Sequence, residues 1–482
     1  VVRDETPNLA DVQGNILRGY RKHLVRHLVL TVLDRRAVGN WLLDVTGRDL
    51  TAHQVTNAEP WDEKPSTCLN VAVTPQGLAA LGIARSAIET FPTEFVAGMA
   101  SRATKIGDVG ESAPENWKPE WRSPERLHLV VTVHADTEVD REALSREVLA
   151  VGGGQAFAVL ASLDGAGFPG GKVHFGYRDS IAQPRFIGAR EALDRPDRQP
   201  LVEIGAALLG YLTPIEDVIF DVPKPEVLGL NGSFNAFRVL EQRVVAFEEF
   251  LTDSAETILA SPLADQVLPA GIERTWDPPM SRLDAMRELV AAKVLGRWRN
   301  GVSVQMSPHT PTPKPPVSEE QLNDFAYRED TDGARCPMGS HVRRCNPRDA
   351  RIVQRSTNHA RRIVRRGIPY GPIYDAAQPD LPDAPERVER GLLGSFIGAS
   401  LLVQFESILY DWMNLGLLDP RITGTNDVLV GNNDPAFSCF ALPVGETTIE
   451  LRGFSRFTVT RGGAYLFLPS LSAIKHLGQS AA

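Results

Sequence analysis

Within the first 153 residues a short stretch of alternating apolar side chains is followed at once by a helix-spaced stretch, and this happens three times. HLVRHLVLTVLD (23–34) alternates like a half-buried strand, and RRAVGNWLLDVTG (35–47) has helical spacing and closes on Gly47. CLNVAVTPQGLAALGI (68–83) repeats the order, with Thr74 placed to cap a helix and Pro75 at its first position. RLHLVVTVHADTEVDREALSREVLAVGG (126–153) repeats it again, and GKVHFGYRD (171–179) reads as a further strand. Strands that recur with helices between them must bury one face against those helices, so the pattern predicts an α+β fold with an antiparallel-compatible sheet.

A second set begins near residue 230. GSFNAFRVLEQ reads as a strand, RVVAFEEFLTDSAETIL as an amphipathic helix, and MRELVAAKVLGRWRNG as a helix ended by Gly301. PHTPTPKPPVSEE (308–320) holds too many prolines for a core element and must run over the surface. RIVRRGIPYG is strand-like, GLLGSFIGASLLVQFESILYDWMN passes from strand to helix, and FTVTRGGAYLFLPSL reads as a hairpin-like strand pair. The second half therefore echoes the first in element order, without a repeat in the residues themselves. The acidic, proline-containing IEDVIFDVPKPE places a domain boundary near residue 220, dividing the chain into 1–220 and 221–482.

Composition serves mainly to exclude. A net charge of −9 disfavours a general polyanion binder, so nucleic acid is not an expected partner. Four cysteines in 482 residues are too few for a disulfide scaffold, and no two of them make a CxxC spacing. No apolar run is long enough to span a bilayer and the first residues lack a leader's pattern, so the expectation is a soluble, cytoplasmic protein. The chain starts with Val, which leaves room for a leader removed upstream. DGAGFPGGK contains a literal GxGxxG, but Pro169 interrupts it and no helix follows, so it reads as a loop; no GxSxG elbow occurs.

The least ordinary stretch runs from Arg335 to Arg366, where ten arginines stand against one acid, Asp349. Such a cluster either faces solvent or meets anionic oxygens, for which guanidinium is the preferred planar partner. Inside it lies His341, in CPMGSHVRRCNPR, at the start of a helix-compatible run with Arg343 and Arg344 beside it. A neutral imidazole so placed suits an axial ligand to a haem whose propionates need cations. The other histidines show no metal-ligand spacing, so a closed zinc site is not expected. In HFGYRDSIAQPRF a strand is broken at Asp179, a residue that serves either as a turn former or, in an apolar pocket beside an arginine, as a proton carrier.

Taken in order, DVQGNILRGY, FGYRDSIAQP, NGSFNAFRVLEQ, CPMGSHVRRCNPR, RRIVRRGIPYG, GLLGSFIGASLLVQFE and RGGAYLFLPS resemble the dye-decolorizing peroxidases, in their larger branch. That resemblance implies a tandem of two ferredoxin-like domains with haem b held mainly by the second. It implies His341 as the iron ligand, Asp179 as the distal acid, and Arg365 as the distal arginine. Neighbours in a strand face opposite ways, so Arg365 and Arg366 cannot both point at the iron. Glu406, the one carboxylate between Glu389 and Asp411, is nominated as acceptor for the other imidazole N–H, and Arg343 and Asn346 as partners at the haem edge. The family's GxxDG motif reads GYRDS here, so Ser180 must either adopt a strained backbone or shift the loop. Gly394, where some relatives carry a bulky aromatic, implies a roomier distal pocket.

The implied activity is reduction of hydrogen peroxide coupled to one-electron oxidation of dyes, phenolics or similar aromatics, by a monomer or homodimer. Activity should peak at acid pH, because a carboxylate has a lower intrinsic pKa than an imidazole. Tyr370, Tyr410 and Trp412 are the candidate electron relays, and Mn(II) oxidation is conceivable without an assignable site. Two other readings share the motifs: a haem carrier or sensor, and removal of iron from haem.

Overall fold

The computed structural model describes residues 6–189, 201–215, 217–350, 361–375 and 388–482. β1 (Leu24–Val32), β2 (Thr67–Val73), β3 (Leu129–Ala135) and β4 (Phe157–Ala166) pair antiparallel in the spatial order β4-β1-β3-β2. Helix α1 (Arg35–Leu43) follows β1, and α2 (Glu138–Leu149) follows β3. Both helices start where a side-chain oxygen can take up an orphan N–H: Asp34 accepts from Ala37 at 3.0 Å and Thr137 from Asp140 at 3.1 Å. Thr74 caps the short helix Pro75–Ala80 in the same way, accepting from Gly77 at 3.0 Å.

After the short parallel pair β5 (Arg185–Phe186) and β6 (Leu201–Val202), a second antiparallel group is built from β7 (Ser233–Gln242), β8 (Val364–Arg365), β9 (Ile368–Tyr370), β10 (Gly391–Gly398) and β13 (Thr458–Leu468). Its order is β13-β7-β10, with β8 and β9 both on β10, while β11 (Cys439–Val444) and β12 (Thr447–Arg452) form a separate hairpin. Taking β8 and β9 as one interrupted strand, each group has its four strands in the order 4-1-3-2, the ferredoxin-like arrangement. The echo between halves is thus one of topology.

The two groups are continuous. Phe467 of β13 pairs with Val73 of β2, and at the far end Gly165 of β4 lies so close to β9 that a Cβ there would stand 2.4 Å from Ile368 Cγ2. Glycine is what lets those edges approach and the sheet curve round on itself. Inside the curve, His27, Asn70, Thr132, His134, Asn235 and Ser395 are among the residues around a cavity of about 260 Å³. One hydrophobic core runs through both groups, including Val29, Leu69, Val131, Phe237, Ile397 and Phe467. A second core lies under helices α3 (Val244–Leu259) and α4 (Arg282–Leu295) and holds Phe247, Leu251, Met286 and Leu289.

Three local expectations are corrected. The fourth strand of the first group is 157–166, not 171–179, where Gly171 (φ 67°) and Gly176 (φ 82°) bend the chain into a tight turn. Helix α4 stops at Gly296 (φ 98°), which closes it five residues before Gly301. FTVTRGGAYLFL is one strand with a bulge between Thr460 and Gly462, and there a Cβ on Gly462 would stand 2.2 Å from Trp121.

Candidate active site

His341 opens the short helix α5 (His341–Cys345), and the turn before it is tied down from several sides. Asp330 accepts the backbone N–H groups of Arg335 and Cys336 at 3.0 and 2.9 Å, and the Ser340 hydroxyl donates to the carbonyl of Lys293. His341 Nδ1 lies 3.1 and 3.2 Å from the two carboxylate oxygens of Asp427, a fully buried residue. Asp427 also accepts the N–H groups of Leu429 and Val430, at 3.0 and 2.9 Å. Burial pushes its carboxyl up, but His341, the Arg344 charge and the Val430 N–H outweigh that and hold it below the usual carboxylate range. An ionised carboxylate only accepts, so the imidazole proton is fixed on Nδ1 and the Nε2 lone pair is left open. Among the described residues Nε2 has no hydrogen-bond partner.

Glu406 is therefore not the acceptor. Its carboxylate is fully buried elsewhere, bound by Arg102 at 2.6 and 2.9 Å, by Lys105 at 3.5 Å and by the Tyr465 hydroxyl at 3.0 Å. Asp427 lies 86 residues from its histidine, in a loop that spacing along the chain does not connect to it.

Arg343 is also corrected. Its guanidinium is buried against Asp330 (3.0 Å) and the carbonyl of Cys336 (2.6 Å), and stacks 4.4 Å over Tyr327, so it clamps the turn and is not at a haem edge. Arg344 likewise binds the carbonyls of Trp412 and Thr425. Asn346 ends the helix and accepts from Arg362 at 2.8 Å. The cations whose charge acts on the half-buried thiol of Cys345, at the end of α5, are Arg365, Arg348 and Arg362. Arg351 and Arg355 lie outside the described residues.

Asp179 and Arg365 come together from different halves of the chain. Asp179 Oδ1 is 3.9 Å from Arg365 Nη2, and both side chains are about one third exposed, at 33% and 36%. So loose a pair adds little stability and leaves carboxylate lone pairs available. Arg365 Nη2 also donates to the carbonyl of Ala182 at 2.9 Å, and the Gln183 amide brackets the Arg365 backbone with bonds of 2.9 and 3.1 Å. Arg366 turns the other way, donating to the carbonyls of Asn15 (2.8 Å) and Ile16 (3.4 Å). Ser180 resolves the altered motif by strain, standing at φ 60°.

The expected spare room at Gly394 is absent, since a Cβ there would stand 2.7 Å from the Phe396 ring, which fills that space. Of the candidate relays, Tyr410 is exposed, Tyr370 is half-buried, and Trp412 is buried under Arg361 at 4.6 Å. Among the described residues no group of three or more His, Cys, Asp or Glu could hold a metal ion, and no helix is long and apolar enough to cross a membrane.

Residues 11–167 match the family model described as the DyP dimeric alpha+beta barrel domain. A dye-decolorizing peroxidase of Exidia glandulosa is 28% identical over 97% of this chain and 86% of its own length. Over nearly its whole length the chain is similar to dye-decolorizing peroxidases. A multifunctional dye peroxidase of an Amycolatopsis strain is 26% identical over 97% of this chain and 96% of its own length. The solved dye-decolorizing peroxidase of Auricularia auricula-judae superposes with a TM-score of 0.79 at 26% identity, covering 99% of this chain and all of that one.

Dye-decolorizing peroxidases are haem enzymes, and the donor set here suits that cofactor. An imidazole with Nδ1 anchored and Nε2 open is the form that binds iron, and its buried carboxylate partner fixes the tautomer and the ring's orientation. The guanidinium groups that act on the end of α5, of Arg365, Arg348 and Arg362, are of the kind that propionates require, whereas Arg343 is turned into the protein.

Proposed function

We propose that this chain is a dye-decolorizing peroxidase that reduces hydrogen peroxide and oxidises dyes, phenolics and similar small aromatics in one-electron steps, with haem b held by His341. Asp179 and Arg365 are its distal pair, and Arg362 and Arg348 its propionate-side cations. Bound haem supplies the electrons that split the O–O bond and holds the oxidising equivalents until substrate returns them. Asp179 takes the proton of the nearer peroxide oxygen and delivers it to the leaving oxygen. Arg365 presents its guanidinium to the negative charge that develops on that leaving oxygen. Its backbone is held by Gln183 and its head by Ala182, so little reorganisation is needed when the charge appears.

The observation that carries this reading is that one chain holds two complementary arrangements: an Nδ1-anchored imidazole on one element, and a loose, part-exposed Asp–Arg pair on another. A haem carrier needs the first and has no use for the second. Purified protein should show a Soret band that His341→Ala removes. In Asp179→Asn and Arg365→Leu the band should persist while the rate of reaction with peroxide falls by about 10²- to 10⁴-fold. Peroxide kinetics unchanged in both variants would reject the assignment.

A further inference from the structure

One buried acid–base pair lies outside this mechanism. Tyr465 of β13 is 2% exposed, and its hydroxyl donates at 3.0 Å to Glu406. Tyr177 and Tyr211, by contrast, donate to a neutral backbone carbonyl and a neutral amide oxygen. Glu406 is held by Arg102 and Lys105; burial pushes its carboxyl up, but the hydrogen bonds from Arg102 and Tyr465 and the two cations bring it below the usual range. It is therefore an ionised acceptor already in place on a phenol proton. The ring of Tyr465 is also connected to the distal side. Its centroid is 6.2 Å from that of Phe405, which is 5.5 Å from Phe396, and Phe396 is the register partner of Arg365 across β10 and β8.

We propose that Tyr465 is a redox-active tyrosine, with Glu406 as its proton acceptor. The proposal rests on the peroxidase reading above. A phenol that loses an electron becomes strongly acidic, so a neutral radical forms easily only where a base is already hydrogen-bonded to it. Tyr465 gives one electron to the peroxide-oxidised cofactor, its O–H bond breaks, and a new O–H bond forms on Glu406 Oε1. A reducing substrate later returns the electron and the proton moves back, leaving phenol and carboxylate as they began. Because Tyr465 is buried, it cannot meet a bulky dye itself. It stores an oxidising equivalent inside the protein while substrate is scarce, and the Phe405 and Phe396 rings form the path to and from the distal side.

The test is electron paramagnetic resonance on the holoenzyme, frozen after mixing with one equivalent of hydrogen peroxide and no reducing substrate. The wild type should give a radical signal that narrows when tyrosine is supplied ring-deuterated. Tyr465→Phe keeps the ring and leaves Glu406 paired with Arg102; it should reduce that signal at least tenfold, whereas Tyr410→Phe should retain it. Glu406→Gln should reduce the yield severalfold and abolish the solvent deuterium effect on its formation. A signal unchanged in Tyr465→Phe, or no tyrosyl signal in a wild type with a normal Soret band and normal peroxide reaction, would overturn the proposal alone. Absence of the Soret band would instead reject the functional reading on which it rests.

Discussion

Asp427→Asn separates the imidazole's anchoring from every other feature of the proximal side. Asp427 Oδ1 accepts both backbone N–H groups, of Leu429 and Val430, while Oδ2 makes the shorter contact to His341 Nδ1 at 3.1 Å. An asparagine that keeps those two N–H groups on its oxygen must turn its NH₂ toward Nδ1, where two donors would face each other. The imidazole relieves this by moving its proton to Nε2, which removes the lone pair that would bind iron. Loss of such a partner typically lowers metal affinity 10- to 100-fold, about 1.4 to 2.7 kcal/mol at the constant of 1.36 kcal/mol per decade. The assay is titration of haem-free protein with haemin, followed in the Soret band. Glu406→Gln, which leaves His341 and Asp427 untouched, should bind haemin as the wild type does. Haemin affinity within twofold of wild type in Asp427→Asn, with an unmoved Soret maximum, would refute the argument.

Three other outcomes follow from the same geometry. Arg366→Ala removes charged hydrogen bonds to Asn15 and Ile16 and should lower the urea stability by about 2 kcal/mol, with the peroxide rate kept within twofold, the reverse of the Arg365 phenotype. Ser180→Gly should raise the urea stability by about 1 kcal/mol, because a non-glycine residue at φ 60° is strained; a lower midpoint would show that the serine side chain holds the loop. Acid should weaken the fold through His27, which burial lowers from 6.5 to about 4, and His134, lowered to about 3 by burial and by the nearby His27, Arg366 and Lys22. The folded values lie below the unfolded one, so between pH 6.5 and 4 the unfolded chain binds more protons and stability falls as pH falls. For His27 alone this is on the order of 3 kcal/mol. His27→Gln should flatten the dependence of Tm on pH in that window, and an unchanged slope would count against it.

Elements whose periodicity is local were legible in the sequence. The alternation of β1, the spacing of α1 and the Thr74-Pro75 start needed no distant residue to specify them. β4 was missed because, flanked only by β1 in the sheet, it keeps mostly exposed and half-exposed residues and carries a glycine in DGA, so it lacks a clear apolar face. The two glycines of β13 look like a turn until Trp121, 341 residues earlier in numbering, is seen to need the space. The same limit governs the site. His341 could be nominated from its surroundings, but charge beside a histidine says nothing about direction, and Arg343 and Arg344 both turn into the protein.

The distal pair shows most clearly what a linear reading can and cannot supply. Strand parity states that Arg365 and Arg366 face opposite ways, yet it cannot say which faces the site. That depends on the register of β8 against β10, where Arg365 stands opposite Phe396, and on the Asp179 turn, which reaches β8 through Ala182 and Gln183. The turn precedes residue 220 and the strand follows it, so the pair exists only once the two halves have closed into one curved sheet. The Asp179–Arg365 pair and the packing of Gly165 against Ile368 thus depend on the same closure. A bulky residue at 165 would push β4 from β9 at the seam that helps to hold that closure. It should therefore reduce the peroxide rate while sparing the His341–Asp427 pair, which lies wholly in the second half, so haemin affinity would persist. Parallel loss of both, measured on the same Gly165→Val protein, would show that the two sides of the site do not depend on separate parts of the fold.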